Sequence, residues 1–242
     1  MAKDLENTMI NNNVHILTEI NAETTHGLIA QLTQWMDDLD KKVGDLFYQE
    51  KQITPVAGSS LRIINVQKAT DKIYSPYETI PDHIPVLNVY INSGGGKAYW
   101  MQSLLSMFHM TTALHGTIIR TYNIARACSC ASMIAVSGTK GYRYMSEGAF
   151  NGIHFGSVKS EVNHSDEIEL SKKRADDWKK STMKIYMDNT KLTEKELKKY
   201  YNTEGSGTLY AKECLEKGIC DWVSTYDKRF VNNVNDLIQK QR

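Results

Sequence analysis

Apolar residues recur along the chain in short runs that alternate with helix-spaced stripes. Val14-His15-Ile16-Leu17 reads as a short strand. Asn21 or Thr24 can cap a helix in which Leu28, Ile29, Leu32, Trp35, Met36 and Leu39 hold helical spacing, and the charged run Asp37-Asp38-Leu39-Asp40-Lys41-Lys42 ends it. Val86-Leu87-Asn88-Val89-Tyr90-Ile91 is a strand, Asn92-Ser93-Gly94-Gly95-Gly96-Lys97 a loop, and Ala98 to Thr112 a helix built on Trp100, Met101, Leu104, Leu105 and Phe108. Thr117 to Ile124 is β-rich, the small-residue stretch after it forms a helix, and Tyr142-Arg143-Tyr144-Met145 is another strand. Strand, glycine loop, helix, strand, helix, strand predicts an α/β fold of repeated βαβ units around a parallel sheet.

The flanks are less regular. Residues 1–13 are polar and Asn-rich, and read as a loose arm. Residues 43–85 hold Gly44, Pro55, Gly58, Pro76, Pro81 and Pro85 around one strand-like piece, Leu61 to Val66, and read as an insertion. From Glu161 to Tyr201 the chain is long, charged and helical, with apolar contacts from Ile168, Leu170, Trp178, Met183, Ile185, Tyr186 and Met187. A second helix there starts at Lys191-Leu192-Thr193-Glu194 through a Thr cap. Leu209 to Lys217 is a last short helix stopped by Gly218, a strand closes around Trp222-Val223, and 226–242 is a tail. The organisation expected is an arm (1–13), one domain (14–225) with its insertion, and the tail.

Composition narrows the partners. The 29 basic and 28 acidic residues nearly balance, so no broad basic surface argues for nucleic acid. No apolar run approaches the roughly 20 residues that cross a membrane. The N-terminal Met1-Ala2-Lys3-Asp4-Leu5-Glu6 lacks the apolar stretch of a secretion signal, so the expected location is cytoplasmic. Cysteines at 128, 130, 214 and 220 lack the paired C-x-x-C spacing of a zinc site, the seven histidines form no i, i+4 pair, and no metal is expected.

Ala125-Arg126-Ala127-Cys128-Ser129-Cys130-Ala131-Ser132-Met133-Ile134-Ala135-Val136-Ser137-Gly138 is the stretch with chemistry in it. A serine at a strand-to-helix junction has its hydroxyl lifted from the sheet, and small neighbours let a substrate backbone approach. A small-residue helix packed in a core explains the same letters. Gly94-Gly95-Gly96 directly follows a strand, where glycine lets backbone N–H groups turn toward a bound group, or forms a plain turn. His154 lies 25 residues after Ser129 at the expected end of a strand. Together a hydroxyl, an imidazole and backbone donors are what acyl transfer requires, supplied from the ends of successive strands.

The same residues carry a family resemblance. Tyr90-Ile91-Asn92-Ser93-Gly94-Gly95-Gly96 resembles the Y-I-N-S-P-G-G segment of the Clp protease proteolytic subunit family, ClpP. Ala127 to Ala135 resembles its nucleophile helix, especially the A-A-S-A-A-S form of ClpP-like phage proteases. Lys140-Gly141-Tyr142-Arg143, Ile153-His154, and Leu209-Tyr210-Ala211-Lys212-Glu213-Cys214 with Gly218-Ile219-Cys220-Asp221 are similar to its K-G-x-R, I-H and L-S-A-x-E-A…G-L-V-D segments. The resemblance implies a ClpP/crotonase-type fold with a long handle helix, here from Glu161 onward, and a serine endopeptidase acting on proteins or peptides without a cofactor.

It further implies Ser129 as nucleophile, His154 as base, and the N–H groups of Gly96 and Cys130 as oxyanion hole. Ser132 matches the A-A-S-M wording of the bacterial enzyme, but choosing it would shorten the helix before Lys140-Gly141 by three residues. Where the family places its triad acid this chain has Ser206, and Glu204 in Asn202-Thr203-Glu204-Gly205-Ser206-Gly207 is the carboxylate on offer. Homo-oligomeric, heptameric rings that stack into a chamber are implied, with an AAA+ unfoldase as partner, although the short N-terminal arm departs from the family's docking element. A phage head-maturation protease, a crotonase-like acyl-CoA enzyme and an inactive ring subunit are the alternative functions.

Overall fold

The strand Val86–Ser93 alternates partly exposed and buried residues without a break, and it is the centre on which the other strands register. The computed structural model describes residues 7–47, 54–55, 62–63, 73–154, 165–201 and 207–232. Its elements are β1 (Thr8–Ile10), β2 (Asn13–Ile16), α1 (Ala22–Phe47), β3 (Thr54–Pro55), β4 (Arg62–Ile63), β5 (Val86–Ser93), α2 (Ala98–His115), β6 (Ile118–Cys128), α3 (Cys130–Val136), β7 (Arg143–Ser146) and β8 (Phe150–Gly152). They continue with α4 (Ser165–Asn189), α5 (Glu194–Tyr201), β9 (Thr208–Tyr210), α6 (Ala211–Glu216), β10 (Trp222–Ser224) and β11 (Phe230–Val231).

The main sheet runs β1-β2-β5-β6-β7-β10-β11, and β8 branches from β6 to carry β9. The pairs β2–β5, β5–β6, β6–β7, β6–β8 and β7–β10 are parallel, whereas β1–β2, β8–β9 and β10–β11 are antiparallel. A mixed α/β domain with a mostly parallel sheet is what the βαβ rhythm requires.

Strand β6 does two jobs. Thr121 to Asn123 pair with β7, and Arg126 to Cys128 pair with β8. Between them is an irregularity: Ile91 faces Asn123 but Ser93 faces Ala127, so two steps of β5 match four of β6. Such a bulge bends a strand and re-aims the residues beyond it. Ser129 is the first residue past the end of β6. Leu28, Leu32, Met101, Leu104, Leu105, Phe108 and Ile134 pack with Val14, Ile16, Leu87, Val89 and Ile91 in the larger core. Tyr90, Tyr122 and Tyr144 stack across neighbouring strands at 4.7 and 4.8 Å, the wide aromatic faces filling a pleated surface.

Several expectations need correction. The arm is not loose throughout: Thr8–Ile10 forms β1, antiparallel to β2. Asn11 takes the left-handed turn with φ 56°, which asparagine tolerates. Buried Asn7 anchors the start, its Oδ1 accepting the N–H groups of Leu17 and Thr18. Helix α1, capped by Asn21 Oδ1 accepting from Thr24 N–H, runs through the charged run to Phe47. Gln34–Asp38 and Asp38–Lys41 contacts sit on its exposed side, and such i, i+3 and i, i+4 pairs extend a helix. The expected insertion therefore begins inside α1. Leu209 belongs to β9, and α6 begins only at Ala211. The tail contributes β11, paired with β10. The Thr193 cap is present: Glu196 N–H donates to Thr193 Oγ1, and Thr193 N–H to Glu196 Oε2.

Arg143 ties the far ends of three elements together. Its side chain is 3% exposed and grips Asp221 with two charge-assisted bonds of 2.6 and 2.8 Å. It also donates to the carbonyls of Val136, at the end of α3, and Asn189, at the end of α4. Asp221 further accepts the N–H groups of Gly141 and Arg143. Asp221→Ala leaves the guanidinium buried and unpaired, and we expect a loss of about 3–5 kcal/mol in chemical denaturation. Replacing both partners by apolar residues, Arg143→Met with Asp221→Leu, should cost less; an equal or larger loss would show that the pair is not the source.

Candidate active site

The glycine loop is built from both of its flanks. Ser93 Oγ donates to the Thr18 carbonyl and accepts the Gly95 N–H at 3.1 Å. Ile20 N–H donates to the Gly95 carbonyl at 2.8 Å, and Lys97 N–H donates to the Ile20 carbonyl at 2.6 Å. This isolated parallel bridge between Ile20 and Gly96 turns Gly96's own N–H and C=O to the opposite side. The Cys130 thiol donates to that carbonyl at 3.1 Å, which identifies the opposite side as α3. Helix α2 then starts at Ala98 and closes at Gly116, whose φ of 64° suits a glycine cap.

Ser129 stands at the junction of β6 and α3 with φ 54° and ψ −124°, a strained conformation for a residue with a Cβ. Its N–H donates to the Gly152 carbonyl at 2.8 Å, and the residue is 8% exposed. The turn fits because Gly95 lacks a side chain. A Cβ at Gly95 would lie 2.6 Å from the Cys128 carbonyl, 2.7 Å from Ser129 Cβ and 3.0 Å from Cys130 N. Loop and serine are therefore in direct contact. Cys130 opens α3, so its N–H has no partner within the helix. Gly96 N–H and Cys130 N–H are thus two backbone donors on the serine side of the loop.

Two thiols flank the hydroxyl. Burial pushes the Cys130 thiol up, against opposing hydrogen bonds from the Gly96 backbone and the Ser129 side chain, and burial raises Cys128 despite Arg126 nearby. Both stay protonated at neutral pH, and a protonated thiol is a poor nucleophile. Cys130 serves instead as a clasp between loop and helix.

His154 lies two residues beyond Gly152, just past the parallel register Cys128–Gly152. Backbone pairing therefore brings Ser129 and His154 to one strand end. The imidazole is exposed and makes no hydrogen bond among the described residues, so it is not joined to the Ser129 hydroxyl. Ile153 N–H donates to the Gly207 carbonyl at 2.8 Å, and a Cβ at Gly207 would meet that Ile153 carbonyl at 1.9 Å. The chain thus enters β9 beside His154. Glu204 lies outside the described residues.

Ser132 is excluded from the open site by its own bonds. It is fully buried, donates to Asn151 Oδ1 at 2.6 Å and accepts from Tyr186 Oη at 2.8 Å. Asn151, Tyr186, Ser93 and the Ile20 backbone are contributors that sequence reasoning does not single out. An N-S-G-G-G run after a strand could flag Ser93, since a serine two residues ahead of a glycine turn can hold its N–H. Among the described residues no group of three or more His, Cys, Asp or Glu could hold a metal ion, and no helix is long and apolar enough to cross a membrane.

A family model described as Clp protease matches residues 79–227, well over half of the chain. The span opens ahead of β5 and takes in the glycine loop, Ser129 and His154.

The close approach at Gly95 separates it from its neighbour. Gly95→Ala meets three atoms within 3.0 Å at φ 102°, and we expect thermal unfolding to show a loss of more than about 1 kcal/mol. Gly94→Ala adds a methyl to open space and should move the midpoint little. Equal effects would contradict the contact.

Proposed function

Because the chain belongs to the Clp protease family, a family of peptidases, we propose that it is a serine endopeptidase with Ser129 as nucleophile. The observation that carries this reading is the strained Ser129 turn lodged against Gly95, with its φ of 54° and the 2.7 Å approach. A hydroxyl raised at such a turn, beside two backbone donors, suits attack on a peptide carbonyl. His154 turns from its exposed position to take the hydroxyl proton and later returns it to the leaving amine. Gly96 N–H and Cys130 N–H receive the oxyanion, a contribution on the order of 2.7–4 kcal/mol per donor in other hydrolases. Glu204, three residues before Gly207 in sequence, holds the imidazole tautomer.

Assembly completes the proposal. The long helix α4, with Leu170 and Met187 exposed along it, acts as the handle of a ClpP-type ring. Rings of this chain enclose the sites in a chamber, so that access rather than a tight pocket selects unfolded protein or peptide substrates. An AAA+ unfoldase feeding that chamber is the partner consistent with it.

A fluorophosphonate probe tests the chemistry. We expect one adduct, on Ser129, with peptide hydrolysis falling by on the order of 10⁴-fold or more in Ser129→Ala and in His154→Ala. Glu204→Gln should cost less than either. Hydrolysis that survives Ser129→Ala would refute the nucleophile. Turnover of a CoA thioester without labelling would point to a crotonase-like acyl-CoA enzyme, and no turnover or labelling to an inactive ring subunit.

A further inference from the structure

Behind Ser129 lies a buried chain of polar groups that the proposed chemistry leaves unused. Tyr186 Oη, from α4, donates to Ser132 Oγ at 2.8 Å, and Ser132 Oγ donates to Asn151 Oδ1 at 2.6 Å. The direction is fixed, because an amide oxygen only accepts and the serine has one proton to give. Tyr186 and Ser132 are fully buried and Asn151 is 1% exposed. Burial pushes the Tyr186 phenol well up, so its proton stays in place as a donor. Asn151 Nδ2 has no hydrogen-bond partner among the described residues, so Ser132 is the side-chain contact that holds this amide.

The placement of the three residues connects the two halves of the site. Ser132 is three residues after Ser129, one turn along the seven-residue α3. Asn151 is three residues before His154, on the strand whose Gly152 carbonyl holds the Ser129 N–H. Tyr186 sits near the end of α4 and reaches this pair through its hydroxyl on Ser132. Apolar side chains of similar size would fill the same space with no polar group to satisfy. A fully connected buried chain instead selects one seating of α3 against β8.

We infer that Tyr186, Ser132 and Asn151 are positioning residues that set the relation of Ser129 to His154, with α4 as the third support. The inference rests on the serine-peptidase reading above. Beside the β6–β8 pairing and the Ser129 N–H to Gly152 carbonyl bond, this buried bond ties the helix that follows the nucleophile to the strand that precedes the base, so a small shift there is transmitted to both. Ser132→Ala strands the Tyr186 donor and the Asn151 acceptor, whereas Tyr186→Phe keeps the ring and removes only the first link.

Full-length protein carrying Tyr186→Phe, Ser132→Ala or both is compared with wild type and Ser129→Ala. Sites are titrated with the fluorophosphonate, and kcat and KM for a reporter peptide are taken per titrated site beside the thermal midpoint. We expect kcat to fall by about ten- to a hundredfold in each single variant, since misplacement of about 1 Å costs that much. KM should stay within about twofold of wild type. The double variant should be no slower than Ser132→Ala alone, the signature of one connected chain. A kcat within about twofold of wild type in Tyr186→Phe, with only the midpoint lowered, would make the chain mere packing and overturn the inference. Should Ser132→Ala fail to fold, Tyr186→Phe decides alone. Hydrolysis persisting in Ser129→Ala, or wild type that neither labels nor hydrolyses, removes the serine reading and this inference with it. A dead Ser129→Ala beside an unchanged Tyr186→Phe removes only the inference.

Discussion

A missing Cβ governs this site. At Gly95 the backbone passes so near the β6–α3 junction that any side chain would collide with Cys128, Ser129 and Cys130 together. Ser129 in turn adopts a conformation that residues with a Cβ rarely hold, and something must keep it there. The Gly152 carbonyl does so from β8, and the loop does so from β5. Strand register is therefore upstream of chemistry: β5, β6 and β8 must be aligned before loop, serine and histidine share one end of the sheet.

The polar groups around this contact divide by what they hold. Cys130 lends its thiol proton to the Gly96 carbonyl and, kept protonated by burial, binds loop to helix. Arg143 and Asp221 lock the opposite end of α3, through the Val136 carbonyl, to the end of α4. Between these two ends, Ser132 joins α3 to Asn151 and Tyr186. A seven-residue helix is thus tied at its start, middle and finish. That is far more than its own few backbone bonds supply. A short helix bearing a strained serine at its head needs such support, because its intrinsic stability is small.

Much of the architecture is readable from the chain alone. The βαβ rhythm is legible because β5 alternates burial residue by residue and α2 keeps Met101, Leu104, Leu105 and Phe108 on one side. Elements of two to four residues, such as β1, β8, β9 and β11, leave little local signal, since a strand that short is defined by a partner distant in sequence. The end of α1 is hard to place because charged residues look like a terminus, yet at i, i+3 spacing, as in Asp38–Lys41, they sustain a helix. In the site, the small-residue stretch and the glycine loop read as one constellation and do meet in space. Asn151 and Tyr186 escape such reading, being 19 and 54 residues from Ser132; a buried Tyr in a charged helix looks like any core contact.

The most direct measurement is a crystal structure of the protein with a peptide boronate or fluorophosphonate bound. We expect the adduct on Ser129 Oγ, its oxygen within roughly 2.7–3.1 Å of Gly96 N and Cys130 N. The His154 imidazole should have turned to within roughly 2.6–3.2 Å of the serine oxygen. An adduct on another residue, or an oxygen pointing away from both amides, would contradict the site described above.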